Sequence, residues 1–259
     1  MITRLEHDSH LAIEWFDNNH MKLNQEKCHL LVSGFKHETV WAQVGKVKIW
    51  ESLKQKLLGV VIDRDLSFNE YVSSLCQKAG KKLSALARLS NLMKFEQRRV
   101  LMKSFIEAQF GYCPLVWMFH GRKLNRKINH IHERSLRILY GDYKSSFTEL
   151  LKKDKSVCIH HRNIQTLAIE LYKVNQNLSN EIMNNIFSMR TLNYNLRSHN
   201  DFSRRNVNTT KYGLNSLSYF ASKVWNMVPL DIKESTTLEH FKNKIKHKKR
   251  AVLVESTFP

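Results

Sequence analysis

A row of basic side chains recurs at helical spacing between residues 122 and 140, just before Gly141. The row consists of Lys123, Arg126, Lys127, His130, Arg134 and Arg137. An adjoining stripe at the same spacing consists of Leu124, Ile128, Ile131, Ser135 and Ile138. A helix of this kind packs one face against a core and offers the other to the phosphate groups of a nucleic acid. Most charged rows are simply solvated faces, but only Glu133 dilutes this one, which favours phosphate binding.

A second basic helix is predicted upstream of the first. Ser67 and Glu70 have the spacing of a capping box, which marks a helix start. The apolar positions that follow at helical spacing are Val72, Leu75, Cys76, Ala79, Leu83, Leu86 and Leu89. The remaining surface carries Lys78, Lys81, Lys82 and Arg88. We therefore expect this helix to be buried on one side and to bind nucleic acid on the other.

The overall charge favours the same class of partner. Lys and Arg number 42 against 23 Asp and Glu, which gives a formal net charge of +19 over 259 residues. Self-repulsion of this size strains a compact fold unless a polyanion neutralises it, and nucleic acid is the usual polyanion. A merely soluble basic protein is the alternative. The chain, with 42% hydrophobic and 10% aromatic residues, belongs to the folded rather than the disordered class.

Metal and redox sites are not predicted from the cysteines or from the paired aspartates. The cysteines are Cys28, Cys76, Cys113 and Cys158, and none of their spacings gives the tight turns that tetrahedral zinc needs. Cys158 with His160 and His161 is a weak metal signal that is better read as core or helix-end residues. Asp63 and Asp65 flank the end of a predicted strand and are interpreted as surface carboxylates. Scattered thiols of this kind fit a reducing compartment.

The absence of membrane and secretion signals in the sequence, together with its basic charge, predicts the compartment and the partners. No apolar stretch approaches the length of a membrane span, and residues 1–10 lack the pattern of a signal peptide. We predict an intracellular protein of the nucleus or cytoplasm that binds RNA, DNA or an RNA–DNA hybrid and has no membrane partner. The basic segment 242–250 predicts a nuclear-localisation signal, a phosphate-binding tail or a frayed helix end.

The elements that position these side chains predict an α+β, mostly helical fold in three parts. Residues 1–66 contain a helix over 3–16, buried strands over 29–34 and 56–63, and a hairpin over 39–50. Residues 67–141 contain the two basic helices and another helix over 95–110. Residues 142–259 contain helices over 163–175, 180–187, 216–228 and 237–250, with a polar loop over 190–213. Only 8 Gly and 3 Pro interrupt the chain, which favours long helices.

Several longer motifs follow one another along nearly the whole chain. A helix ending in Trp-Phe-x-x-Asn leads into Leu-Asn-x-x-Lys-Cys within EWFDNNHMKLNQEKCHLLV, and KLLGVVIDRDLSFNEYV comes next. Further motifs follow downstream: residues 112–173, then YNLRS, then YGLNSLSYFASKVWNMVPLDIKES. In this order, the motifs resemble those of the reverse transcriptases of non-LTR retrotransposons, specifically the jockey/CR1-like LINE type.

The resemblance implies a role for each part. Residues 1–66 look like a remnant of the polymerase palm, with motif D in the first quoted segment and motif E, the primer-grip hairpin, in the second. Lys27 matches the motif D lysine, which in such polymerases is proposed to help protonate the pyrophosphate leaving group. Leu58, Gly59 and Val60 match the primer-grip turn. Residues 68–140 match the helical thumb, which holds the template–primer duplex by its backbone.

The resemblance also implies that catalysis needs residues this sequence lacks. In the complete family enzyme, an Asp of motif A and a Tyr-x-Asp-Asp turn of motif C hold two Mg²⁺ ions, and both motifs precede motif D. Because the sequence contains neither motif, we expect a truncated RNA-directed DNA polymerase from a transposable element. Such a fragment binds nucleic acid, carries no cofactor of its own and does not polymerise alone. The alternatives are a mis-assigned start within an active enzyme and a decayed remnant without function.

Overall fold

The computed structural model describes residues 2–33, 39–119, 121–187, 189, 201–203, 206–214 and 216–247. These residues confirm a mostly helical α+β fold, with two antiparallel sheets of two strands each. The chain divides into two compact units, Met1–Val72 and Ser73–Pro259. The division into three parts at residues 66/67 and 141/142 stays a prediction. None of the helices among the described residues combines the length and apolar character that a membrane span requires.

The described part of the first unit contains a helix and two β-hairpins. The elements are α1 (Ile2–Asn18), β1 (Trp41–Val44), β2 (Val47–Trp50), β3 (Lys54–Leu57) and β4 (Val60–Asp63). Strand β1 pairs with β2 and β3 pairs with β4, both antiparallel and each across a short turn. Helix α1 contacts β1, where the Glu6 carboxylate accepts a 2.8 Å hydrogen bond from the Gln43 backbone N–H. The predicted first helix and first hairpin are therefore confirmed.

The two buried strands predicted in this unit are wrong. Within residues 29–33, Leu30 makes only an isolated bridge to Glu51. The apolar run over 56–63 is not one strand, because Leu58 and Gly59 form the turn between β3 and β4 with φ angles of 47° and 89°. Positive φ at both central residues is the hairpin geometry that matches the twist of the flanking strands. The alternation pattern misses this turn because leucine rarely adopts positive φ, whereas the resemblance to motif E implied a hairpin turn at these residues.

Helix α2 (Asn69–Leu89) begins where predicted, but a different residue holds its start. The Asp63 carboxylate accepts hydrogen bonds from the backbone N–H groups of Ser67 at 3.0 Å and Phe68 at 2.7 Å. Glu70, predicted to complete a capping box, lies instead 2.8 Å from the Lys54 ammonium. The predicted apolar stripe of α2 is buried except for Leu89, whose residue is 51% exposed.

The described part of the second unit continues with helices. After α2 these are α3 (Phe95–Leu101), α4 (Pro114–Trp117), α5 (Arg122–Tyr140), α6 (Phe147–Lys153), α7 (Ile159–Asn175), α8 (Glu181–Ile186), α9 (Leu217–Met227), α10 (Leu230–Lys233) and α11 (Leu238–His247). The four helices predicted in this region are confirmed as α7, α8, α9 and α11, while α4, α6 and α10 were not predicted. Residues 190–200 and 204–205 of the predicted loop lie outside the described residues, as do residues 248–259. The segment Thr210–Leu214, also predicted as loop, is a π-helix.

The helical run predicted over 95–110 exists but changes its hydrogen-bonding pattern. Helix α3 continues into a π-helical segment, Met102–Ile106, and then into a 3₁₀ turn, Glu107–Phe110. In the π-helical segment, the Glu107 backbone N–H donates to the Met102 carbonyl oxygen five residues earlier. The Glu107 carboxylate reaches two helices, because it pairs with the Arg162 guanidinium of α7 and lies 3.8 Å from His132 Nε2 of α5.

The largest apolar core of this unit surrounds α7, α9 and α11. Tyr172, Trp225 and Phe241 are fully buried there. The Tyr172 and Phe241 rings stack with centroids 4.3 Å apart, and the Trp225 ring lies 6.2 Å from Phe241. The Tyr172 hydroxyl donates a 2.6 Å hydrogen bond to the Ser235 carbonyl, so its polar end is also satisfied. Helix α5 contacts both α6 and α7 and is thereby fixed to this core.

Candidate nucleic-acid interface

Helix α5 has the predicted bounds and two chemically distinct faces. It ends at Gly141, whose φ of 62° and N–H bond to the Arg137 carbonyl close the last turn. Its buried face consists of Leu124, Ile128, His132, Ser135, Leu136, Ile138 and Leu139, and Ile131 is half-buried. The predicted basic residues lie outside this face: Lys123, Arg126, Lys127, His130 and Arg134 are exposed, and Arg137 is half-buried. At about 100° per residue, these six fall within an arc of roughly 100° on the helix.

Helix α2 supplies a second group of cations. Lys78, Lys81 and Arg88 are exposed, and Lys82 is half-buried with its ammonium 5.7 Å from the centre of the Phe105 ring. Lys82 also lines an apolar cavity of about 270 Å³, together with Ala85, Leu86, Leu89, Met93, Leu101, Phe105 and Ile106. Leu89 lies in this cavity rather than in the core, which accounts for its exposure.

The two basic helices meet at Gly80. A β-carbon at Gly80 would lie 3.7 Å from Ile131 Cδ1 of α5, an ordinary van der Waals distance. One turn earlier on α2, burial raises the pKa of the Cys76 thiol to about 11, and the positive charge of Lys127 acts in the opposite direction. The basic row of α5 therefore borders α2 directly. We refer to the four basic residues of α2 and the six of α5 as the basic surface.

Little of this charge is neutralised within the protein. Arg137 pairs with Glu133 at 2.7 Å and donates a 3.0 Å hydrogen bond to the Tyr143 carbonyl. Across the described ranges, no carboxylate forms an ion pair with Lys123, Arg126, Lys127, His130 or Arg134. Exposed cations without internal counter-charges are free to bind phosphates, at the cost of displacing only water and counterions.

Known proteins give no guide to the identity of the chain. No protein-family model, curated protein or solved structure matches it. The resemblance to LINE-type reverse transcriptases therefore stays a prediction from the sequence motifs.

The residues predicted from motifs D and E belong to the first unit. Lys27 is exposed at the end of a 3₁₀ turn, Gln25–Lys27. At the tip of the β3–β4 hairpin, Leu58 is 83% exposed, whereas Val60 is buried in β4. The turn around Gly59 thus presents backbone and an aliphatic side chain. A hairpin is present where motif E predicts one, and its primer-grip role stays a prediction.

A further feature of the described part of the chain is the arrangement of its possible metal-binding side chains. Among those residues, no group of three or more His, Cys, Asp or Glu side chains is arranged to hold a metal ion. Asp63 is committed to the turn before α2, where its oxygens accept from three backbone N–H groups and from the Ser67 hydroxyl. Since these residues do not fit the ion, we assign no step to a bound metal. The four cysteines are free thiols.

Sequence reasoning missed an aromatic and cationic face on the first hairpin. Trp41 of β1 and Trp50 of β2 lie opposite each other, and the Lys48 ammonium lies 3.6 Å from the centre of the Trp41 ring. Part of this face could have been predicted from the sequence, because residues two apart in a strand, such as Lys48 and Trp50, share a face. Only the strand register, however, shows that the two tryptophans come together.

Proposed function

We propose that this chain binds nucleic acid through the basic surface, as the thumb region of a LINE-type reverse transcriptase. The observation that carries the proposal is the arrangement of α5, where six basic residues occupy one side and the buried residues another. Five of the six have no carboxylate partner among the described residues. Helix α2, which contacts α5 at Gly80, carries four further basic residues, of which Lys78, Lys81 and Arg88 are exposed.

The chemistry of the basic surface suits the nucleic-acid backbone rather than the bases. Lysine and arginine side chains on a helix face contact phosphates in any sequence and fix the register of the duplex. We therefore propose binding without sequence preference and with a strong dependence on salt. A surface that contacts six phosphates loses affinity by about 10³-fold between about 50 and 200 mM salt.

We further propose that the chain does not polymerise on its own. The sequence contains no Tyr-x-Asp-Asp, the turn that supplies two metal-binding carboxylates in the family it resembles. Primer extension with purified protein, deoxynucleotides and Mg²⁺ tests this part directly. Extended product from the protein alone would contradict it without affecting the binding proposal.

A salt titration of binding with matched variants tests the basic surface. Fluorescence anisotropy with a labelled duplex gives the slope of log affinity against log salt. Lys123→Gln with Lys127→Gln removes two phosphate contacts, so the slope becomes shallower by about 2 and affinity falls for every sequence. Lys152→Gln with Lys155→Gln removes the same charge from exposed positions outside the basic surface. The control pair leaves the slope at its wild-type value.

Two results would contradict the proposal. One is a wild-type affinity that is insensitive to salt, because phosphate contacts release counterions. The other is an equal loss in the Lys123/Lys127 and Lys152/Lys155 variants, since net charge rather than the basic surface would then govern binding.

A further inference from the structure

The outer face of the β1–β2 hairpin gathers two indole rings and an ammonium group. In the strand register, Trp41 lies opposite Trp50 and Gln43 lies opposite Lys48. Alternate residues of a strand share a face, so these four side chains lie on one side of the hairpin. Ala42 and Ile49 alternate with them on the opposite side, where Ala42 is buried. We refer to Trp41, Gln43, Lys48 and Trp50 as the tryptophan face.

The two rings are open to solvent to different degrees. Trp50 is 57% exposed and Trp41 is 38% exposed. The Lys48 ammonium lies 3.6 Å from the centre of the Trp41 ring and 5.2 Å from that of Trp50. Lys48 therefore covers part of Trp41 and leaves the Trp50 ring as the more accessible plane. An exposed tryptophan beside a cation on a flat sheet surface is typical of a stacking site for a nucleic-acid base.

Two described carboxylates near this hairpin, those of Glu6 and Glu51, are already engaged. The Glu6 carboxylate accepts the Gln43 backbone N–H at 2.8 Å, on the edge of β1 that α1 contacts. The Glu51 carboxylate accepts the Val40 N–H at 3.4 Å and lies 3.6 Å from the Arg64 guanidinium. Lys46, in the turn, and Lys48 are exposed. The tryptophan face is thus positively charged and fits an anionic partner.

We propose that the tryptophan face binds single-stranded nucleic acid, with a base stacked on Trp50 and a neighbouring phosphate bound by Lys48. Unpaired bases expose the flat surfaces that a ring can stack on, whereas duplex bases are already stacked on one another. A purely apolar protein partner would remove Lys48 from water without replacing its hydration. This site lies in the first unit, so it does not rest on the function proposed for α2 and α5.

Binding of a short labelled oligothymidine, compared with a blunt duplex at one salt concentration, tests the proposal. Oligothymidine provides phosphates and stackable bases without forming a duplex with itself. Trp50→Ala is expected to weaken oligothymidine binding by about tenfold, the loss typical of one stacked base. Its affinity for the duplex stays at the wild-type value. Trp50→Phe keeps a ring for stacking and restores most of the lost affinity.

A matched control comes from the first unit itself. Trp15 on α1 is also 57% exposed, so Trp15→Ala removes the same side chain at the same exposure from outside the tryptophan face. Trp15→Ala leaves oligothymidine affinity unchanged. Lys48→Gln reduces the salt slope for oligothymidine by about 0.7, the value for one single-strand phosphate contact. Thermal melts of each variant establish that the hairpin unit remains folded.

The outcomes separate this proposal from the function proposed for the basic surface. Equal oligothymidine affinity for wild type and Trp50→Ala overturns the stacking site and leaves the basic surface intact. An equal loss with Trp50→Ala and Trp15→Ala, or an equal loss for single strand and duplex, also overturns it. Normal duplex binding that falls only in the Lys123/Lys127 variant supports the basic surface alone.

Discussion

Acidification is expected to destabilise the second unit through His132, which lies fully buried on α5. Within the described structure, neither ring nitrogen has a hydrogen-bond partner, and the ring packs edge to face on Phe147 with centroids 5.5 Å apart. Burial, reinforced by the positive charge of Arg162, lowers the pKa of His132 from its ordinary value of 6.5 to about 4, against the opposing charges of Glu107 and Asp154. The folded protein therefore holds this histidine neutral at pH values where the unfolded chain protonates it.

The sign and size of the effect follow from proton linkage. Between pH 6.5 and about 4, the unfolded state binds more protons at this residue, so stability falls as pH falls. At about 1.4 kcal/mol per pH unit, the difference between the unfolded and folded pKa values corresponds to about 3 kcal/mol in the free energy of unfolding. Most of it, about 2 kcal/mol, is lost between about pH 7 and pH 4.5. The stabilising contribution is complete above the unfolded pKa and absent below the folded one.

Replacing the histidine tests this account. His132→Leu has a similar volume, removes two unsatisfied polar atoms and cannot titrate, so it is at least as stable as wild type near neutral pH. Its loss of stability on acidification is smaller than that of wild type by about 2 kcal/mol. Urea unfolding followed by fluorescence measures both values, because Trp117 and Trp225 are buried in the same unit. The buried, non-titrating neighbour Ser135 provides the control Ser135→Ala, which shifts stability equally at both pH values. Identical pH dependence in wild type and His132→Leu would refute the reasoning.

Three further predictions follow from single sites. Gly80→Ala raises the melting temperature, because alanine is favoured over glycine in a helix by about 1 kcal/mol. The added β-carbon would lie 3.7 Å from Ile131 Cδ1, an ordinary van der Waals distance, so it causes no clash. A lower melting temperature would show that the two helices are closer than this. Cys76 reacts with iodoacetamide at mildly alkaline pH far more slowly than the exposed Cys113, because burial raises the pKa of the Cys76 thiol to about 11. Mass spectrometry of the labelled peptides measures both rates. Leu58→Asn stabilises the first unit by about 0.5 kcal/mol in a thermal melt, since asparagine tolerates the φ of 47° that leucine adopts there, and a loss of stability would count against the turn.

The long helices could be predicted because their signals are local. The stripe of α2 from Val72 to Leu86 and the glycine cap of α5 at Gly141 depend only on residues within one helix, and both are confirmed. The β3–β4 turn depends on Leu58 adopting a conformation that leucine disfavours, so the apolar pattern predicted one strand and only the resemblance to motif E implied a hairpin turn there. The start of α2 depends on Asp63, a residue of the preceding strand, and a pattern within the helix cannot reveal it.

For the candidate site, too, the features within one helix could be predicted and the contacts between elements could not. Charge periodicity placed the cations of α5 outside its buried face, and their exposure confirms that placement. The contact between Gly80 and Ile131 joins positions far apart in the chain, and nothing in either helix alone predicts it. The tryptophan face needed the register of β1 against β2, which tertiary pairing decides.

The π-helical segment Met102–Ile106 has a consequence for insertions and deletions in this part of the chain. Upstream of it, Phe95 lies against Tyr140 of α5 with ring centroids 5.4 Å apart, and downstream of it, Glu107 approaches His132 of the same helix. A π-helical turn contains one residue more than an α-helical turn, which rotates everything that follows by about 100°. The extra residue therefore keeps both contacts in phase with one helix. A single-residue deletion here is expected to restore a regular helix and to break one of the two contacts.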